Sequence, residues 1–515
     1  MTSPASGLLV AVLLVPAVMG LAASTFGPRD PRRFGQFGAL IVGLGALAAL
    51  VFAVLAGRGA PTSVVVGGAE FEADRLAAVL LLLVFGVSAI VQSFAVRYLA
   101  GDPRAAWFTA GASLLTAASA GLMTAATLIT LAICWTLAGV ALCLLLGMYW
   151  HLPAARDGVR RTAIAFGIGD LALWTAVAIA TASRGRIDLR DIGSGTFSGP
   201  TVAVLAFLVV VAALSRSAQI PFHRWLPATL AAPTPVSALL HAGVVNAGGI
   251  LLIRLAPLAT DDAARVLTIV AGAATMIHGT LIMLVKPDIK GALAHSTMAQ
   301  MGFMILTCGL GLWAAAVIHL VAHGFYKATL FLSSGSAISR HRRLASLPAA
   351  APLTRRRGLV NASAAVLLPA LALTAALALA LTAALALVPL QPGDHAAEHA
   401  LLIFAWVTGA AVTWGWLQRR PGLRGVLTGG AVLIPAAVAY VAIVSGVTGY
   451  LNPALPSAGL SVTNVWVVTL AALVALGGFA TLRRGPGAAR LQRAAYTGAL
   501  SAGHISSAQP TGARS

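Results

Sequence analysis

Three basic side chains, His319, His323 and Lys327, follow one another at intervals of four residues in the apolar stretch VIHLVAHGFYKATLF. In an α-helix this spacing puts them on one face, with neighbours roughly 6 Å apart. Imidazole both donates and accepts hydrogen bonds near neutral pH, and a desolvated lysine can release its proton. A file of such groups through an apolar interior predicts a proton relay.

Two alternatives explain the same spacing. The three side chains could form a packed polar contact between helices, or the two histidines could bind zinc. The zincin motif needs Glu directly after its first His, whereas Leu320 follows His319 here. We therefore expect no metal in this stretch.

A second candidate group consists of Asp170 and Arg216. Of the fourteen acidic residues, Asp170 is the one that lies well inside an apolar stretch, and Arg216 follows about fifteen apolar residues. A buried carboxylate without a cation would be neutralised, so we predict that these two side chains pair. The alternative is a structural lock between two helices. Because a guanidinium keeps its proton in proteins, Arg216 can pair or gate, and proton steps would use Asp170, His241 or water.

His241 belongs to the proposed ion pathway because it follows the break after Arg216 in the next apolar stretch. For a single histidine in a membrane helix, a hydrogen bond to a neighbouring helix is as good an interpretation as transport. The same two interpretations stay open for His278 and His295. Together with Asp288 and Lys290, a pair that flanks the inner end of the predicted span 289–309, these histidines are possible accessory residues of the pathway.

The element that must position these residues is residues 213–249, where an apolar run is broken at Pro221, turns at 233–235 and resumes as a helix. In a bilayer each unpaired backbone amide costs several kcal/mol, so a broken helix persists only inside protein or beside water. A hydrated interior site is predicted there. The alternative is that Arg216 snorkels to an interface and Pro221 is a tolerated kink.

The composition indicates a polytopic membrane protein: 59% of the 515 residues are hydrophobic, 9% are charged, and the mean hydropathy is +0.91. The net charge of +20 is distributed over short loops and has no aromatic-basic face, which argues against nucleic acid as a partner. The cysteines lie in apolar runs without metal-ligand spacing, so we expect neither a disulfide nor a metal; they are Cys134, Cys143 and Cys308.

The predicted fold class is therefore an all-α polytopic membrane protein with about 14–15 transmembrane helices. Residues 61–72 alternate β-branched and small residues, which predicts a short external hairpin. The tail, 483–515, is rich in Gly, Ala, Ser and Arg and is predicted to be disordered and cytoplasmic. The predicted spans are 7–24, 37–57, 76–96, 106–123, 126–150, 162–182, 201–231, 234–257, 264–285, 289–309, 311–338, 360–388, 398–417, 425–446 and 463–482.

Orientation follows from the loops. Arginine and lysine concentrate in alternate loops and acidic residues in most of the others, which predicts an outside amino terminus and a cytoplasmic carboxyl terminus in the cell inner membrane. Predicted inner loops carry Arg29, Arg97, Arg156, Lys286, Arg340 and Arg419, and outer ones carry Glu70, Asp261 and Asp394.

Four motifs, SAQIPFHRWLP, PTPVSALLHA, KPDIKGALAHSTMAQMGFM and HLVAHGFYKATLFLSSGS, resemble those of the proton-conducting subunit L of NADH-quinone oxidoreductase and of antiporter-like proteins. The resemblance implies inverted repeats, 124–257 and 258–417, between helices at 1–123 and 418–482. It also implies that the family's charged pathway positions fall on Asp170, Arg216, His241, His319, His323 and Lys327.

The departures from the family pattern are specific. Thr136 stands where the family has a glutamate after Trp, and Arg216 replaces a lysine. Ala228 and Ala231 replace acidic residues, and the stretch 360–388 has no ionisable residue. These changes argue against a complete respiratory-type pair of half-channels.

PFHRWLPATLAAPTPVSALLHAGVVNAGG resembles most the membrane subunits of DAB inorganic-carbon pumps, the DabB family. That resemblance implies a large soluble carbonic-anhydrase-like subunit of the DabA type on the cytoplasmic face, with zinc in that partner and no cofactor in this chain. Cation flux, H⁺ or Na⁺, would then drive CO₂ hydration to bicarbonate without a catalytic site in this chain. The alternatives are a subunit of a quinone-linked oxidoreductase and a structural membrane anchor.

Overall fold

A computed structural model of the chain describes residues 3–193, 195–197, 199–258, 261–286, 288–335, 355–387, 396–419, 423–456 and 488–502. Helices dominate, as expected where a bilayer offers no water to satisfy backbone groups. Within the described residues, ten helical segments are long and apolar enough to cross a membrane, and Pro200–Arg216 and Leu359–Ala375 are shorter apolar ones. The predicted all-α polytopic class is confirmed, whereas the count of 14–15 spans stays a prediction because 463–482 lies outside the described residues.

The helices before the break follow the predicted spans closely, with one correction. The sequence predicted a span at 162–182 preceded by a basic loop, but the helix begins at Pro153, and Arg161 binds Asp157 one turn away at 2.7 Å. A proline at the first turn and this i,i+4 ion pair start the helix early. The helices are α1 Pro4–Thr25, α2 Pro31–Gly57, α3 Arg75–Tyr98, α4 Ala105–Thr124, α5 Leu128–Leu146, α6 Pro153–Arg184 and α7 Pro200–Arg216.

The predicted hairpin is confirmed: β1 (Thr62–Val66) and β2 (Ala69–Ala73) pair antiparallel, from Thr62 opposite Ala73 to Val66 opposite Ala69. Gly67 and Gly68 form the two-residue turn with φ of +58° and +83°, a backbone that glycine adopts without steric cost. Ion pairs then join the second strand to the segment after α6, between Glu70 and Arg186 and between Glu72 and Arg190.

The span predicted at 234–257 is divided. It consists of α8 (Thr234–Ala242), a 3-10 turn at Val244–Asn246 and α9 (Ala247–Arg254). The sequence analysis missed this second break because Gly243 is the sole helix-breaking residue between the two helices and no proline marks it. Two neighbouring broken helices therefore meet in this part of the bundle.

After the broken helices come α10 (Asp262–Val285), α11 (Ile289–Gly309) and α12 (Trp313–Leu332). The backbones of α10 and α11 touch through glycines: a Cβ added at Gly272 would lie 2.6 Å from the Leu306 nitrogen, and one at Gly302 would lie 2.4 Å from the Met276 nitrogen. Small residues at such a seam let membrane helices pack backbone to backbone.

The chain divides into two compact units. One comprises Met1–Leu310, His319–Ser336 and Leu482–Ser515, and it contains all the candidate site residues; the other comprises Gly311–Ile318 and Ala337–Thr481. In the second unit, α13 (Arg355–Leu387), α14 (Ala396–Arg419) and α15 (Leu423–Leu451) pack around Ala372, Ala437 and Val441. The predicted division into two repeats stays a prediction.

The tail prediction needs a correction. Residues Ala488–Ala502, within the tail predicted to be disordered, form a helix, α16, which packs beside α10. The segment AARLQRAAYTGALSA is rich in Ala, Leu, Arg and Gln, which are strong helix formers. The rest of the tail lies outside the described residues.

Candidate functional site

Arg216 and Asp170 form the predicted ion pair. Arg216 is the last residue of α7 and only 1% exposed, and its Nη2 donates to Asp170 Oδ1 on α6 at 2.7 Å. Trp135 on α5 donates its indole N–H to the same carboxylate oxygen at 2.7 Å, and its carbonyl accepts from Arg216 Nη1 at 3.2 Å. Three helices thus meet at one hydrogen-bonded charge pair, and Arg216 does not snorkel to an interface.

The guanidinium is held between two aromatic rings. Its Cζ lies 4.4 Å from the centroid of the Trp135 ring and 4.1 Å from that of Phe166. Gly139 permits this arrangement, because a Cβ at that position would lie 2.9 Å from Arg216 Nη1. A planar cation gains from both the stacking and the fixed fork of donors, which a lysine would lack.

Thr136, where the resembling family has glutamate, serves a different contact. Its hydroxyl accepts a hydrogen bond from the Trp174 indole on α6 at 3.1 Å. The acid that pairs with the α7 cation is therefore supplied by α6 instead of α5. Asp170 also borders a cavity of about 550 Å³ between α4, α5 and α6, together with Cys143, Trp107 and Trp150.

Protein groups satisfy much of the backbone freed at the break after α7. The Ile220 N–H donates to Thr275 Oγ1 at 3.0 Å, and the Ser215 carbonyl accepts from the Trp225 indole at 3.0 Å. Ser217 Oγ donates to the Val245 carbonyl, in the neighbouring break, at 2.6 Å. The two breaks thus stabilise each other, which is how irregular backbone persists at membrane depth.

His241, on α8, is 1% exposed and stacks on Phe331 of α12 with ring centroids 4.4 Å apart. Its carbonyl oxygen is 3.1 Å from His323 Nε2. Its own Nδ1 has no hydrogen-bond partner within the described residues. His241 therefore joins the broken helix to the row of basic groups on α12.

The row on α12 has the predicted one-sided arrangement. The rings of His319 and His323 are 5.8 Å apart, and Lys327 is fully buried. Their side-chain partners come from α11: His323 Nδ1 lies 2.6 Å from Gln300 Oε1, and Lys327 Nζ donates to Ser296 Oγ at 2.8 Å. Sequence analysis did not single out Ser296 or Gln300, because neutral polar residues in an apolar helix carry little signal.

The accessory candidates cluster around the start of α11 and the first break. Asp288 caps α11 through the Gly291 N–H, and Lys290 Nζ donates to the Ala232 carbonyl at 3.1 Å. His295 is buried, with its Nδ1 2.9 Å from the Gly291 carbonyl. The His278 ring lies 5.0 Å from that of His223, a residue in the break that sequence analysis had not singled out. Within the described part of the chain, no group of three or more His, Cys, Asp or Glu residues could hold a metal ion.

A second ion pair was missed by sequence analysis. Arg254, at the end of α9, binds both oxygens of Asp74, at 2.5 and 3.0 Å, and donates to the Met123 carbonyl at 2.8 Å. Burial would raise the pKa of Asp74, but Arg254 and the Ala77 N–H outweigh burial and hold this pKa below its usual value. The pair fastens α9 to α3 and α4.

The fold and the buried charges define a polytopic membrane protein with antiporter-like architecture. Two family descriptions match: "NADH:quinone oxidoreductase/Mrp antiporter, TM" over residues 125–417, and "NADH-Ubiquinone oxidoreductase (complex I), chain 5 N-terminus" over residues 68–109. The first covers more than half of the chain. The chain therefore belongs to the NADH:quinone oxidoreductase/Mrp antiporter transmembrane family.

Similar curated proteins carry two kinds of name. "Probable inorganic carbon transporter subunit DabB1" of Halothiobacillus neapolitanus is 36% identical over 351 residues, 65% of this chain and 62% of that protein. "Probable inorganic carbon transporter subunit DabB" of Bacillus anthracis is 36% identical over 61% of each chain. "NADH-quinone oxidoreductase subunit L" of Mycobacterium tuberculosis is 34% identical over 55% of this chain and 47% of its own length. The chain thus spans less than two thirds of these relatives.

A solved structure shares the fold. The Mrp complex from Dietzia sp. DQ12-45-1b contains a chain with a TM-score of 0.61 and 23% identity, and the match covers 96% of this chain and 60% of that one. This similarity supports the antiporter-like fold.

Proposed function

We propose that this chain is the cation-conducting, specifically proton-conducting, membrane subunit of an energy-coupled inorganic-carbon pump. It would work with a large soluble, zinc-containing, carbonic-anhydrase-like subunit of the DabA type on the cytoplasmic face. The observation that carries the proposal is that Arg216, His241 and Lys327 are each at most 1% exposed, at or beside broken helices. Ionisable groups buried at membrane depth mark ion pathways. The DabB relatives support the carbon-pump assignment.

The fixed pair would act as the charge-sensing part of the pathway. Both Arg216 and Trp135 donate to a single oxygen of Asp170, and the carboxylate borders a cavity. A proton reaching Asp170 removes its charge and leaves a buried guanidinium without a counter-ion, which costs several kcal/mol. Arrival of the proton is thereby coupled to a rearrangement around Arg216.

The α12 row would carry the proton. Lys327 and His323 are held by neutral partners, Ser296 and Gln300, so either side chain can change its charge without stranding a carboxylate. His241, stacked on Phe331 and touching His323 through its carbonyl, links the row to the break. The resulting flux would energise one-way CO₂ hydration by the partner, so that bicarbonate is retained inside.

The test uses a CO₂-requiring host that co-expresses this chain and its soluble partner. Asp170→Asn removes the charge but keeps an oxygen for the two hydrogen bonds, so we expect assembly without growth in air. Asp157→Asn, on the same helix at an ion pair near the α6 start, is the matched control and should grow. Co-purification of the partner reports assembly. Normal growth of Asp170→Asn in air would reject the role of Asp170.

A second candidate function is a proton-translocating, subunit L-type component of an NADH-quinone oxidoreductase or a related antiporter complex, which the subunit L relative favours. Purifying the native complex and measuring its metals separates the two. Zinc without iron supports the carbon pump, whereas iron–sulfur clusters and flavin support the oxidoreductase.

A further inference from the structure

Three neutral polar side chains lie between α3 and α4 and have no part in the site above. Ser88 Oγ and Thr116 Oγ1 are 2.7 Å apart, and Gln92 Nε2 donates to Ser88 Oγ at 3.0 Å. Each of the three is at most 3% exposed. Because a helix rises about 1.5 Å per residue, Ser88 lies about 15 Å from the α3 end and Gln92 about 9 Å from it. We name this row the α3–α4 polar file.

A cavity lies at each end of the α3–α4 polar file. Gln92 borders a cavity of about 370 Å³, which Arg32 and Asp102 also line where the helices end. Ser88 and Thr116 border a smaller cavity of about 50 Å³, which Arg216 and Gly243 also line. The file therefore lies between a wide cavity at one end of the bundle and a small one that borders Arg216 of the buried ion pair and the break in α8–α9.

Three polar atoms in or beside the α3–α4 polar file have no hydrogen-bond partner within the described residues. They are Gln92 Oε1, Ser113 Oγ and Arg216 Nε, on side chains that are 1–2% exposed. A Cβ built on Gly38 would lie 2.7 Å from Gln92 Oε1 and 3.8 Å from Ser113 Oγ, so two of these atoms face one spot. Buried polar groups are rarely unpaired, and water is the usual partner where space allows. The cavity of about 50 Å³ is large enough to hold water, because about 10–15 Å³ suffices for one molecule.

We infer that the α3–α4 polar file is a water-filled branch that admits water, and with it protons, from the Arg32 and Asp102 end to Arg216. The branch is separate from the row on α12. Its proton-carrying role rests on the proposed function, while its water content does not. Arg216 keeps its own proton, so the branch hydrates the ion pair and supplies the proton that Asp170 takes up.

Access of a small ion tests the water path directly. In a full-length background carrying Cys134→Ala, Cys143→Ala and Cys308→Ala, single cysteines are introduced by Ser88→Cys and by Thr116→Cys. The purified protein is exposed to Ag⁺, a small thiophilic ion, then unfolded and alkylated, and mass spectrometry counts the blocked thiols. Ala206→Cys on α7 is the control, because Ala206 is fully buried and borders none of these cavities.

We expect Ag⁺ to block the cysteines introduced by Ser88→Cys and Thr116→Cys about tenfold faster than the one introduced by Ala206→Cys. Adding Gln92→Leu should remove most of this difference in rate. Equal rates at all three positions would overturn the water path.

Proton flux in vesicles tests whether the α3–α4 polar file also carries protons. Thr116→Val should lower the flux about tenfold, whereas Thr124→Val, the same change two turns along α4 at a residue bonded to the Ala120 carbonyl, should not. Unchanged flux in Thr116→Val would overturn the proton-carrying role. Wild-type protein without any flux would refute the proposed function instead, and the Ag⁺ result would still decide the water path.

Discussion

The pair on α6 and α7 differs from the row on α12 in how each buried cation is stabilised. Arg216 has an ionic partner, two flanking rings and a backbone carbonyl, and its charge is permanent. Lys327 and the nearby His323 have neutral partners, which are side chains of α11 and the His241 carbonyl of α8, and both can change charge. A permanent buried charge needs a counter-ion. A group that alternates between charged and neutral forms is better stabilised by neutral partners, which can hydrogen-bond to both forms. In the proposed pathway, we therefore expect the α6–α7 pair to gate and the α12 row to relay protons.

The largest expected effect on proton flux is at Lys327, whose side chain can gain or lose its charge. Lys327→Met keeps the apolar stem and removes the ammonium, so we expect proton flux to fall about a hundredfold or more. Tyr326→Phe, at a neighbouring exposed position, is the control and should conduct normally. Flux is measured with a pH-sensitive dye in vesicles. Normal flux in Lys327→Met, or in the double variant Lys327→Ala and His323→Ala, would favour a structural anchor.

Variants of the Arg216–Asp170 pair should lose stability as well as proton flux. Asp170→Ala leaves Arg216 buried without a counter-ion, which costs about 3–5 kcal/mol. Adding Arg216→Met removes the stranded charge and should restore most of that loss. Thermal unfolding of the purified variants in detergent gives the comparison. If the double variant is no more stable than the single one, the two charges are not coupled.

A smaller effect is expected at the neutral partner of His323. Gln300→Leu leaves a buried imidazole nitrogen without its hydrogen bond, worth about 1–3 kcal/mol, and should lower flux up to tenfold. Gln36→Leu, at an exposed position on α2, is the matched control. Flux in Gln300→Leu equal to that of the control would mean that Gln300 does not position His323.

The smallest effect is expected at Trp135. Trp135→Phe keeps an aromatic ring beside Arg216 but deletes the N–H donated to Asp170, for a loss of about 1 kcal/mol in stability. Trp174→Phe deletes a similar donor, to Thr136, at a more exposed position and should cost less. A larger loss in Trp174→Phe would mean that the hydrogen bond to Asp170 adds little.

The sequence predicted the charged residues of the Asp170–Arg216 pair and of the α12 row, but not the pair of Arg254 and Asp74. Asp170 could be paired with Arg216 because acids within apolar stretches are scarce, and the α12 row could be placed on one face from its spacing alone. Nothing local indicated that Trp135 would supply both a donor and a carbonyl, because that contact joins helices distant in sequence. Neutral partners such as Gln300 were missed because a neutral polar residue in an apolar helix carries little signal.

The fold was predicted best where periodicity is strong. Span positions and the hairpin at 61–72 followed from hydropathy and alternation, whereas the break at Gly243 did not, because one glycine within an apolar run is weak punctuation. The helix Ala488–Ala502 was missed because the composition of the whole tail concealed a short run of helix formers.

The close packing of α10 and α11 at Gly272 and Gly302 has a mechanical consequence. Because their backbones pack so closely, we expect α10 and α11 to move together, so that His278, His295, Ser296 and Gln300 keep their mutual positions. In the proposed pathway, an exchange of hydrogen-bond partners would then require movement of α12 or of the α8–α9 segment relative to this helix pair.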